Sequence, residues 1–80
     1  MGERKRASMP ASELNRLERW MDGKTALTVG GAQALMNKCV ATDALRGVDA
    51  RMRMRILSAM ARGPEAWPSL GLKTRRSNTD

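Results

Sequence analysis

Arg51, Arg53, Arg55 and Arg62 stand in a stretch, residues 51–62, that holds no Asp or Glu. On a helix, steps of four, three and four place Arg51, Arg55, Ser58 and Arg62 on one face, with Arg53 flanking it. Guanidinium groups in such a row are forked donors suited to phosphate oxygens. A plain solvated face is the alternative, but such faces usually mix signs, so this ridge points to an anionic partner. If about four to six phosphates were neutralised, log K would fall against log salt with a slope near −4 to −5. Arg4, Lys5 and Arg6 form a further basic cluster near the N-terminus, read either as an arm for a minor groove or as a solubilising tail.

Other chemistry is sparse. There is no His, the usual general base near neutral pH and the usual metal ligand, and only one Cys. The tripeptide Gly23-Lys24-Thr25 has the form of the end of a phosphate-binding loop, but Glu18 stands where that loop needs its first Gly. Cys39 falls among apolar helix positions and reads as a small buried hydrophobe and not a nucleophile. No enzyme activity, cofactor or metal is expected.

A second pattern lies upstream of the arginines, in Lys24 to Val40. A helix-turn-helix calls for a small residue in its first helix, an apolar residue before a turn Gly, and apolar residues six and nine positions after that Gly. Around Gly30, the residues Ala26, Val29, Met36 and Cys39 meet those requirements. The run Lys24-Thr25-Ala26 followed by Val29-Gly30 resembles the helix-turn-helix of small phage regulators, such as the lambdoid activators and Cro-like or Ner-like repressors. Gly31 departs from that pattern, at a slot usually apolar. The resemblance implies that residues 33–40 enter a major groove, that the amides of Gln33 and Asn37 bond an adenine edge, and that Lys38 and Lys24 reach phosphates. The other reading makes Gln33, Asn37 and Lys38 the solvated side of an amphipathic helix.

The elements that must hold these residues are helices. Ser8 or Ser12 can cap one that starts near Pro10 and stops at Gly23, with Leu14, Leu17 and Met21 on one face and Trp20 beside it. Another runs from an Asp49 cap to Gly63 and Pro64, with Val48, Met52, Ile56 and Met60 as its inner stripe. The middle, residues 24–47, has two readings. Gly30-Gly31 breaks it into two short helices, or Thr28 caps one helix from Val29 to about Val40, with Val29, Ala32, Met36, Cys39 and Val40 inward and a short turn of helix at Asp43–Arg46. The β-branched run Thr25–Val29 has no evident partner strand. Residues 63–72 form a turn-rich tail in which Trp67 folds back over the core. The expected fold is all-α: a small bundle of three to five short helices over 9–72, between a disordered basic arm at 1–8 and a disordered basic tail at 73–80.

Eighty residues make one domain with a marginal core, and the seven Met and two Trp must supply volume that Phe and Tyr do not. The odd cysteine suits a reducing cytoplasm, and no apolar run approaches membrane-spanning length, so no membrane partner is expected. The formal net charge of +7 favours polyanions. The expected function is therefore a small DNA-binding regulatory protein of phage or mobile-element type, acting on duplex DNA, with a possible homodimer. The alternative is a small adaptor or inhibitor that docks on an acidic surface of a larger host protein or nucleoprotein complex.

Overall fold

The computed structural model describes residues 8–76. The helix α1 spans Ala11–Met21, α2 Val29–Ala41 and α3 Ala50–Arg62; 3-10 segments cover Ala44–Gly47 and Pro64–Leu70, and two-residue strands lie at Ala26–Leu27 (β1) and Lys73–Thr74 (β2). The fold is all-α, as the apolar periodicities require.

The helix α1 begins after Pro10, whose extended backbone serves as the N-cap; no side chain caps it, and neither Ser8 nor Ser12 plays that part. Its end follows the expected glycine rule. Gly23 takes φ +74°, and the amides of Gly23 and Lys24 turn back to the carbonyls of Trp20 (3.0 Å) and Arg19 (2.8 Å), so the last carbonyls of the helix are satisfied. The helix α3 is framed as its sequence dictates. The Asp49 carboxylate accepts from the Met52 amide at 2.9 Å, and Gly63 at φ +89° releases the chain into Pro64.

The middle of the chain is one helix. Thr28 caps α2 by accepting from the Gly31 amide at 3.0 Å, and Gly30 and Gly31 lie within the first turn. Of the two readings of this stretch the single helix capped by Thr28 is the one observed and the break at Gly30 is not, because the stretch before it, Lys24–Thr28, is loop and strand instead of helix. Glycine costs little where amides lack intrahelical acceptors anyway, and the threonine cap outweighs it. Gly31 has its own reason for being small: a Cβ there would stand 2.9 Å from the capping Thr28 hydroxyl. Val29 and Val40, expected inside, are 39% and 43% exposed, while Ala32, Met36 and Cys39 carry the inner face. The helix stops at Asp43, a non-glycine residue at φ +64°, which Asp tolerates better than most.

The core joins Leu17, Trp20 and Met21 of α1 to Leu27 of β1, Ala32, Met36 and Cys39 of α2, Ile56 and Ala59 of α3, and Trp67 and Leu72. The two indoles meet edge to face with ring centroids 5.0 Å apart. Trp67 does fold back, donating its indole N–H to the Ala59 carbonyl at 3.0 Å.

A second correction concerns the C-terminal segment. β2 pairs with β1 in parallel, Ala26 opposite Lys73 and Leu27 opposite Thr74, so the β-branched run has a partner after all. The Trp20 indole donates to the Lys73 carbonyl at 2.7 Å, and the Arg75 amide donates to the Leu27 carbonyl at 3.0 Å. Residues 73–75, expected in a disordered tail, thus bond to β1. A buried indole N–H needs an acceptor, and the strand supplies it. The arm residues Arg4, Lys5 and Arg6, and the segment 77–80, lie outside the described residues.

Candidate nucleic-acid interface

The apolar stripe of α3, Ile56 and Ala59 with Met52 and Met60 beside them, holds the helix against the core. That seating turns Arg51, Arg55, Ser58 and Arg62 to solvent, together with Met54, 65% exposed, and Leu57, 42% exposed. Eleven residues of α-helix rise about 16 Å, which sets the span of the ridge from Arg51 to Arg62.

The ridge is not uniformly free. Arg53 is half-buried, and its guanidinium donates to the carbonyls of Leu45 and Val48, both at 3.3 Å. It therefore ties α3 to the 3-10 segment before it, with its Nε and one Nη engaged by backbone carbonyls. Arg55 lies 3.5 Å from the Asp22 carboxylate of α1. Arg51 and Arg55 share a recess with Glu18, Asp22 and Asp49. The segment 51–62 has no acid of its own, but α1 and the cap of α3 bring acids to it. Arg62 has no ion pair with a described carboxylate.

Gln33 and Asn37 are exposed on α2 and line a groove of about 260 Å³ with Met36, Ala59, Met60, Gly63 and Trp67. Their amides thus face the last turn of α3 at Ala59, Met60 and Gly63, in a groove that none of the ridge arginines lines. Lys38 is elsewhere: its ammonium donates to Glu13 of α1 at 2.9 Å, in a recess that also holds Arg16 and Arg75. Lys24 is exposed in the turn after α1. The expected site residues are consequently not gathered on one face: Arg51 and Arg55 share a recess with acids of α1, Gln33 and Asn37 line a separate groove that holds none of the arginines, Lys38 lies in a third recess, and Lys24 stands in the turn after α1. No local pattern marks Arg16 and Arg75 as partners, since they lie far apart in sequence and meet only in this recess.

Cys39 is buried in the core. Burial pushes its thiol pKa up, and the Glu18 carboxylate adds to the shift. Both effects hold the proton on sulfur.

Comparison with protein-family models, curated proteins and solved structures finds no match to this chain.

Proposed function

We propose that this chain is a small DNA-binding regulatory protein in which α2, the intervening 3-10 segment and α3 form the recognition unit, with α3 laid against the duplex. The observation that carries the reading is the exposed ridge of α3, where Arg51, Arg55 and Arg62 stand around Ser58 on a helix without an acidic residue. Ser58 and Ala61, both small and exposed, let such a helix approach a groove wall closely. Gln33 and Asn37, exposed on α2 beside Ala59 and Met60 of α3, offer amides with the donor and acceptor pair that an adenine edge requires. The reading does not use a turn at Gly30. It places the second helix of the unit one element further along the chain, where the positive charge is.

The test is binding to mixed-sequence duplex DNA by fluorescence anisotropy across a salt series, followed by selection from a random duplex pool. Arg51→Glu with Arg62→Glu is expected to weaken binding about tenfold or more at low salt and to make the log K against log salt slope shallower by about 2. Absence of duplex binding by the wild-type protein at low salt would overturn the proposal.

A second reading has its own support. The acids beside Arg51 and Arg55, and the exposed Met54 and Leu57, give α3 a surface of mixed sign with apolar content, the composition of a protein interface. An adaptor of this kind would lose a protein partner on Met54→Ala with Leu57→Ala, while DNA affinity stayed within twofold.

A further inference from the structure

The polar side of α1 is divided. Glu18 and Asp22 face the arginines of α3, whereas Glu13 and Arg16 line a separate recess of about 230 Å³ with Thr28, Gly31, Lys38 and Arg75. Successive helical residues turn by about 100°, so Arg16 and Glu18 lie on nearly opposite sides of the helix, and Arg19 stands on the solvent face between Arg16 and Asp22, about 60° from each. The C-terminal segment adds its own charges here. Pairing of β2 with β1 sets Lys73 opposite Ala26 and brings Arg75, followed by Arg76, to the start of α2, where the Arg75 guanidinium lines the recess and donates to the Ala26 carbonyl at 3.4 Å. Lys24 joins from the adjoining turn, where Gly23 packs close to the Gly71 carbonyl, 3.6 Å from the position a Cβ would take.

Arg16, Arg19, Lys24, Lys73, Arg75 and Arg76 are all exposed, and none is ion-paired to a described carboxylate. Glu13 is the carboxylate in the recess, and Lys38 already neutralises it at 2.9 Å. The first turn of α2, whose dipole is positive at that end, closes the recess. The contrast with α3 is one of sign balance: its Arg51 and Arg55 share their recess with Glu18, Asp22 and Asp49.

We infer that this composite surface, assembled from α1, the turn at Lys24 and the β2 segment, is a second phosphate-binding face that grips the duplex backbone. The inference rests on the DNA reading and assigns much of the salt-dependent affinity to residues outside α3. Backbone contacts of this kind fix position and carry no sequence information, so the face supplies affinity while α3 and the amides of α2 supply selectivity.

The experiment uses the full chain and a mixed-sequence duplex. Arg16→Glu with Arg19→Glu is the first variant, because neither side chain makes a described hydrogen bond, and Lys24→Glu with Arg76→Glu is the second; circular dichroism melting checks that each stays folded. Each pair is expected to lower affinity about tenfold or more at low salt, to make the salt slope shallower by about 2, and to leave the ranking of sequences in a selected pool unchanged. Unchanged affinity and slope in both variants, alongside weakened binding in Arg51→Glu with Arg62→Glu, would overturn this inference and leave the DNA reading standing. Failure of the wild-type protein to bind duplex DNA would overturn both. Polyglutamate competing as well as duplex DNA, charge for charge, would overturn the assignment to phosphate and point to an acidic protein.

Discussion

Cys39 shows how a single side chain is governed by its surroundings. Its thiol is buried among Ala32, Met36 and Ile56 in one core cluster, and burial, with Glu18 adding to it, holds the pKa above the ordinary value. Native protein should therefore resist alkylation by iodoacetamide, with modification proceeding only as fast as the chain opens. The same shift has a consequence for stability. Above about pH 8.5 the thiol of the unfolded chain ionises first, while the folded thiol keeps its proton, so ionisation favours unfolding. The stability margin of the wild type over Cys39→Ala should accordingly be full below that pH and shrink as pH rises through the thiol range, read from urea midpoints. Rapid alkylation of the folded protein at neutral pH would contradict the burial described. The neighbouring indoles follow the same logic of buried polar groups, each donating to a backbone carbonyl instead of being left unpaired.

At the scale of elements, adjacent glycines in α2 make different demands. A Cβ at Gly30 meets nothing within 4 Å, whereas one at Gly31 meets the Thr28 hydroxyl that caps the helix. Gly30→Ala should then raise stability by about 0.5 kcal/mol, because alanine restricts the unfolded chain and suits the helix. Gly31→Ala should lower it by about 1 kcal/mol, the usual worth of a lost cap. Urea denaturation gives both signs. Destabilisation by Gly30→Ala would restore a turn at that position and with it the helix-turn-helix frame around Lys24–Val40. In α3 the linear charge pattern describes the helix along its length and not across it. The spacing of Arg51, Arg55 and Arg62 put them on one exposed face, but the acids that temper them come from Glu18 and Asp22 of α1, and Arg53 turns back to backbone carbonyls.

At the scale of the whole molecule, the C-terminal segment completes the fold. It supplies the acceptor for the Trp20 indole, the partner for β1 and the bond from the Arg75 amide to Leu27. Truncation after Leu72 should cost about 1–3 kcal/mol, chiefly through the stranded indole donor and the lost strand pairing, and the urea midpoint should fall without loss of helical circular dichroism at zero denaturant. Equal midpoints for truncated and full-length chains would mean that the strand pairing adds nothing. The same segment brings Arg75 into the recess that Arg16 lines, with Lys73 paired alongside β1. Fold completion and the second basic face therefore depend on one stretch of chain.

The sequence by itself determined what local forces decide. The apolar periods set the inner faces of α1 and α3; the glycine after α1, the Asp49 cap and the Gly63-Pro64 pair set where those helices stop or start, and the fold class follows from them. The Thr28 cap was legible too, as one of two open readings, since the local cost of glycine near a helix start is too small to decide between a break and a helix. Tertiary structure decided the rest. A two-residue strand has too weak a pattern to announce a partner in the distant C-terminal segment, and a parallel pairing across most of the chain is made only when the core is assembled. Sign balance at a surface is likewise a property of neighbours in space. Arg51 and Arg55 seemed unopposed because Coulomb interactions between groups on different helices leave no trace in the linear order of charges, and for the same reason Arg16 and Arg75 became neighbours only in the folded chain.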